Sequence, residues 1–327
     1  MNKKFLGLSA LGLGLAVALT ASPAVADPSG TPNYRPLAGM GSDTTFEVMN
    51  GLSNVVVVGG NKVLGSYDPT PAGALVSTKD EATNPNCNTA GGSGGVPRAN
   101  GSSAGRDALN KATTVGDPIF GCLDFARTSS GSIVAGQTFV PMAEDGLTYA
   151  FPQNGDIGAQ ATVSDLQLFY QCDPSVVGAF EPLIPQAGSG TRNSWATLMG
   201  ISNTTLPSCV KDSLAGTPIQ EHDGTILSAG NQIVPFSVAQ YLAQQFGAAP
   251  DRRGSAQLGQ LDGISPLVQN PAQSTLRTVG NILPTSVFND ANALANDVFV
   301  DNGTGKSEVC VDGKTVIEQF GFLASSC

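Results

Sequence analysis

Histidine and tryptophan occur once each, at His222 and Trp195, and charged residues make up only 13% of the chain. These scarcities remove several kinds of chemistry at the outset. Zinc sites draw on clustered cysteine and histidine, and the six cysteines include no C-x-x-C pair, so no metal is expected. A serine hydrolase would have to use His222, beside Asp223, as its base. Its best nucleophile, Ser189, lacks the G-x-S-x-G elbow because Ala187 holds the first glycine position. The glycine run at 91–95 is not followed by Lys-Ser or Lys-Thr, which excludes a P-loop. No carboxylate pair stands out for glycoside hydrolysis. Acidic residues outnumber basic ones 26 to 16, a formal charge of −10 that disfavours nucleic acid and anionic lipid as partners. The expectation is a protein that is not an enzyme and carries no cofactor.

Glycine (40) and proline (21) are abundant and aromatics make up 6%, a composition that favours a loop-rich α/β protein over a helical bundle. A length of 327 residues suits two domains. Met1-Asn2-Lys3-Lys4, an apolar run from Phe5 to about Leu19, and Ala24-Val25-Ala26 together make a secretory signal peptide, with cleavage expected after Ala26. That run is too short and wrongly flanked for a membrane span, and no later run is long enough. No cysteine precedes Cys87 to carry a lipid, so the mature chain, at −12 after loss of Lys3 and Lys4, is expected to be secreted and unanchored. Six cysteines in a secreted chain (Cys87, Cys122, Cys172, Cys209, Cys310, Cys327) point to three disulfides. Spacing leaves their connectivity open; the expectation is that sequence neighbours pair, 87–122, 172–209 and 310–327.

What the chain does have is a series of short Gly/Ser/Thr turns, at 41–46, 101–105, 127–130 and 188–192, each after a strand-like run or at the start of a helix. In that setting backbone N–H groups at a helix N-terminus face a bound anion, and Ser or Thr adds hydroxyl donors. In the last of them Gly188 and Gly190 let the backbone approach a ligand, and Trp195, Leu198 and Met199 recur at helical spacing. Arg127 or Arg192 would supply positive charge. Elsewhere, Phe139–Met142 and Leu147–Phe151 read as strands around an Asp145-Gly146 turn, and Thr162–Tyr170 reads as a capped helix. Ile233–Ser237 leads as a strand into a helix to Phe246. Leu276–Ile282 reads as a strand, and Asn289–Asn296 and Thr315–Leu323 as helices.

Taken in order, Gly39-Met-Gly-Ser-Asp-Thr-Thr-Phe46, Gly101-Ser-Ser-Ala-Gly105, Leu123-Asp-Phe-Ala-Arg-Thr-Ser129, Gly188-Ser-Gly-Thr191 and Gln232-Ile-Val-Pro-Phe236 resemble the phosphate-binding proteins of bacterial ABC phosphate uptake. The resemblance covers most of residues 39 to 246. It implies an α/β, two-lobed type II periplasmic-binding-protein fold, each lobe a mixed sheet flanked by helices, with the ligand cleft at the hinge. It assigns lobe 1 to residues 27–145 and 281–327 and lobe 2 to 146–280, with crossover strands near 139–150 and 275–285. It further implies an inorganic phosphate or similar oxyanion as ligand, an ABC permease as partner, and a monomer. The implied ligand-binding set is Thr44, Thr45, Phe46, Ser102, Ser103, Arg127, Ser129, Ser189, Gly190 and Thr191. The alternative within the same fold is a secreted protein that has left transport for adhesion or scavenging.

The chain departs from the family's pattern at three positions. Pro185 stands where the family has an arginine, Ala187 where it has the acidic acceptor of a protonated phosphate, and Ser129 where it has an aspartate. Without those acids a fully deprotonated anion such as sulfate would meet no carboxylate repulsion.

Overall fold

A computed structural model describes residues 27–28, 33–90, 94–176, 178–267, 275–325 and 327. The expected signal peptide, residues 1–26, and part of the glycine run at 91–95 lie outside the described residues. The main sheet has eight strands: β1 (Leu37–Gly41), β2 (Leu64–Ser66), β3 (Phe125–Thr128), β4 (Gln137–Pro152), β5 (Glu181–Pro182), β6 (Gln232–Ser237), β7 (Ala256–Leu258) and β8 (Leu276–Pro284). Its order is β5-β6-β4-β8-β3-β1-β2, with β7 also paired to β4. Pairing is parallel at both ends of this order, β5 with β6 and β3-β1-β2, and antiparallel through the middle. Among the described residues eight α-helices accompany it: α1 (Phe46–Val55), α2 (Ser102–Ala112), α3 (Val163–Tyr170), α4 (Gly190–Met199), α5 (Val238–Gln245), α6 (Thr285–Phe288), α7 (Leu294–Phe299) and α8 (Glu308–Gln319).

Strands buried on both faces divide their side chains between two layers. In β3, Phe125 packs with Val48, Met49, Leu52, Phe299 and Ile317, while its neighbour Ala126 joins Met40, Leu109 and Leu123 on the other face. The same alternation recurs in β6, where Ile233 packs with Tyr170, Trp195 and Met199 and Val234 packs with Leu183, Phe236 and Ala256. Four apolar clusters result, two flanking each half of the sheet, which gives the two-lobed α/β architecture. Helix α5 lies between the halves: Ala239 and Ala243 join the first cluster and Tyr241 packs on the last.

The halves are joined by the two longest strands. β4 pairs antiparallel with β8 from Gln137 to Gly146, and with β6 from Leu147 to Ala150. The Asp145-Gly146 turn expected from sequence is therefore absent, and the strand runs through it. Asp145 is fully buried and tolerates that position because Arg277 stands directly opposite it across the β4–β8 ladder. Two helix limits also move. The last helix starts at Glu308, capped by Ser307, and runs through Gly313, where a Cβ would lie 2.2 Å from the Leu52 side chain. Near 290, the Asp290 carboxylate and carbonyl take the Asn292 and Ala293 amides in a turn, so the helix begins at Leu294. Disulfides join Cys87–Cys122, Cys172–Cys209 and Cys310–Cys327, the pairing of sequence neighbours. Among the described residues no helix is long and apolar enough to cross a membrane.

Candidate functional site between the lobes

The polar turns of the two lobes meet at the hinge. Gly101, at φ 109°, is the N-cap of α2, and a Cβ there would lie 2.4 Å from the Gly188 carbonyl oxygen. Ser103 N donates to that carbonyl at 3.0 Å, so the two glycine turns touch backbone to backbone. Gly190 opens α4, and a Cβ on it would lie 2.3 Å from both the Ser102 and Ser129 hydroxyls. Glycine at these positions is what lets these turns approach so closely.

Four of the expected residues, joined by Ser42, form one buried cluster. Thr44 Oγ1 stands at its centre, 3.2 Å from Ser129 Oγ and 3.3 Å from Thr191 Oγ1. Ser129 Oγ also accepts from Ser42 Oγ at 3.1 Å and lies 3.3 Å from Ser102 Oγ. Ser42, Thr44, Ser102, Ser129, Ser189 and Thr191 are all buried. Ser189 Oγ caps α4 by accepting from Arg192 N at 2.9 Å. Other expected residues stand differently. Thr45 is the N-cap of α1 without a side-chain cap, and its buried hydroxyl has no partner. The Phe46 amide donates to Asp43 O at 3.2 Å, and Ser103 Oγ accepts from Asn193 Nδ2 at 3.4 Å.

The cation of the cluster is not Arg127. Its guanidinium is fully buried and donates to the Ser42, Gly39, Tyr67 and Gly41 carbonyls and to Ser66 Oγ, all within lobe 1. Those acceptors hold it against the sheet, over the Phe46 ring. Arg192 is likewise engaged, by Asn203 O, Pro185 O and Asp212. Arg277, from β8, supplies the charge instead. Its Nη2 lies 3.1 Å from Thr191 Oγ1, 3.3 Å from Thr44 Oγ1 and 2.9 Å from Asp145 Oδ2, and Nε donates to the same carboxylate oxygen at 3.0 Å. Asp145 is further held by Ser237 Oγ and Ala239 N. Buried Nη1 of Arg277 has no partner.

Glu221 and His222 complete the site. Glu221 Oε2 accepts from Thr44 Oγ1 at 2.7 Å and Thr191 Oγ1 at 3.0 Å, and lies 3.1 Å from His222 Nε2. His222 Nδ1 accepts from Ser237 N, which leaves Nε2 as the protonated nitrogen of the neutral ring. Nε2 is also 3.0 Å from Thr44 Oγ1. Burial works to raise the Glu221 carboxyl. The hydrogen bond from His222, with the Ser189 hydroxyl and the Arg277 charge near by, overcomes it and holds the group well below the carboxylate range, at about 2. Behind this cluster, Glu47 pairs with Arg252 at 3.0 Å and accepts from Gln240 Nε2 at 3.2 Å. Burial pushes the Asp43 carboxyl well up, with Glu47 and Glu221 adding to the effect and Arg252 opposing it.

Sequence reasoning missed Arg277, Asp145 and Glu221. Asp145 was hidden by its resemblance to a hairpin turn, and Arg277 is an ordinary strand arginine until its partner is known. Glu221-His222-Asp223 is a run of three ionisable residues in a lightly charged chain, and that was the available signal.

No family model matches the chain, and a search of curated proteins by sequence returns no match. Solved structures do share its fold. A candidate phosphate ABC transporter substrate-binding protein from Clostridium perfringens, solved with bound phosphate, aligns over 88% of this chain and 98% of its own at a TM-score of 0.55 and 14% identity. A phosphate-binding protein from Stenotrophomonas maltophilia aligns over 88% and 90% at a TM-score of 0.50 and 11% identity.

Proposed function

We propose that the chain is a secreted solute-binding protein that holds a small oxyanion, phosphate first, in the cleft between its lobes. Thr44, Ser102, Ser129, Ser189 and Thr191 would supply hydroxyls, the first amides of α4 would add N–H donors, and Arg277 would add the charge. The observation that carries the reading is Arg277: a buried guanidinium pinned by Asp145 at the hinge, set against hydroxyls from both lobes, with one nitrogen left unpartnered. The shared fold of proteins named for phosphate binding supports it. In this reading the signal peptide ends at Ala26, lobe 1 comprises 27–145 and 281–327, and lobe 2 comprises 146–280. The hinge is β4 with β8, and an ABC permease takes the solute from the monomeric protein. Binding rather than hydrolysis fits Ser189, whose hydroxyl caps α4, while His222 Nε2 faces Thr44 and Glu221.

Calorimetry of ligand-stripped mature protein with phosphate, sulfate and arsenate, at two pH values either side of phosphate's second ionisation, tests this. Heat with phosphate that disappears in Thr191→Ala supports the reading; silence with all three anions refutes it. One observation favours a second reading. The hydroxyls that would bind an oxyanion already serve the Glu221 carboxylate, as in a protein that kept the fold and gave up transport for adhesion or scavenging.

A further inference from the structure

Four buried acids surround the cleft, and they differ in what holds them. Glu47 has Arg252 and Gln240; Asp145 has Arg277, Ser237 and Ala239. Asp43 is driven toward its neutral form by burial. Glu221 takes the hydroxyls expected to hold the solute, Thr44 from lobe 1 and Thr191 from lobe 2, with His222 beside them. One carboxylate oxygen thus takes three donors, as an oxygen of a bound oxyanion does, while Oε1 has no partner.

The backbone is set to present this carboxylate. His222 sits at φ 57°, a left-handed conformation that a non-glycine residue adopts at a cost of about 1 kcal/mol. It is fixed there by Gln244 Nε2 on its carbonyl at 3.0 Å and by the Ser237 amide on its ring. On the other side Gln220 Oε1 accepts from Asn100 Nδ2 of lobe 1 at 2.8 Å. Between these two anchors the Glu221 side chain is directed into the hydroxyl cluster and fully buried.

The geometry points to Glu221 as the internal ligand of the cleft: its carboxylate occupies the oxyanion donors, and an external oxyanion binds by exchange for it. This rests on the oxyanion reading above and sets its regulation. The apparent affinity for solute is the intrinsic affinity reduced by the work of withdrawing Glu221 from Thr44, Thr191 and His222.

The sole histidine makes the exchange observable. In tag-free protein labelled at histidine, the His222 ring resonances report whether Glu221 is in place, and calorimetry with phosphate reports the competition. Exchange predicts that Glu221→Ala binds phosphate at least about tenfold more tightly than the wild type. Glu221→Gln, which keeps an acceptor oxygen against the hydroxyls, should give a smaller rise. Phosphate should also move the wild-type His222 resonances toward those of ligand-free Glu221→Ala. Heat in Glu221→Ala with a silent wild type overturns exchange, because a carboxylate that no external oxyanion displaces is not exchanged. Weaker binding in Glu221→Ala overturns exchange and leaves the oxyanion reading standing. An equal rise in the two variants assigns the effect to charge and overturns exchange as well. Silence in both wild type and Glu221→Ala overturns the oxyanion reading and exchange with it. Should Glu221→Ala fail to fold, wild-type His222 resonances unmoved by bound phosphate refute the exchange on their own.

Discussion

Arg277→Met is the substitution that probes the hinge and the site together. It deletes Nη2, which bonds Asp145 Oδ2 at 2.9 Å and Thr191 Oγ1 at 3.1 Å, and Nε, which bonds the same carboxylate at 3.0 Å. Asp145 is fully buried, so its charge would be left with only Ser237 Oγ at 2.7 Å and Ala239 N at 3.2 Å. Breaking a buried ion pair from one side costs about 3–5 kcal/mol, because the surviving charge keeps its desolvation penalty and loses its partner. Urea unfolding should therefore show a loss of that size. The double variant Asp145→Asn/Arg277→Met removes the stranded charge and should recover more than about half of the loss. On binding, loss of the charge-assisted donor costs roughly 3 kcal/mol, or about 100-fold in phosphate Kd. A loss below about 1 kcal/mol, or a double variant no more stable than the single one, would refute the reasoning. Asp145 would then not depend on Arg277, and the placement of the cation at the hydroxyls would lose its basis.

Three further outcomes follow from the same geometry. Gly190→Ala puts a methyl 2.3 Å from the Ser102 and Ser129 hydroxyls, so it should abolish phosphate binding in calorimetry and cost about 1–3 kcal/mol in unfolding. Arg127→Met strands buried carbonyls of β1 and its neighbours, and should lower stability by about 3 kcal/mol or more; phosphate Kd in the folded fraction should change by less than about threefold. Glu221 ionises more readily folded than unfolded, so its contribution is complete above the ordinary carboxylate value of 4.5 and lost as pH falls toward about 2. Wild type should be more stable than Glu221→Gln in urea unfolding at neutral pH, and that gap should close in acid. Asp43, whose carboxyl is raised, has the opposite sign: its ionisation as pH rises works against folding.

The polar turns were legible because their chemistry is local. A glycine at positive φ followed by hydroxyl residues at a helix start can be read from adjacent positions, as at Gly101-Ser102 and Gly188-Ser189. The capping box of α3, Thr162 with Asp165, was legible on the same ground, since both partners lie within four residues. Arg127 illustrates the limit. Its place in a hydroxyl-rich turn suggested a ligand, yet lobe-1 carbonyls from residues 39 to 67 take its N–H groups.

By itself the sequence determined the low content of charge and histidine, the six cysteines, and the glycine turns whose missing Cβ atoms allow close approach. Tertiary structure decided which charges face the cleft. Asp145 and Arg277 lie 132 residues apart, and Thr44 and Glu221 177 apart. Their meeting depends on strand register and on how the loops of the two halves of the sheet pack together. Electrostatic interactions act through space and burial rather than along the chain, so no local pattern encodes which acid finds which donor.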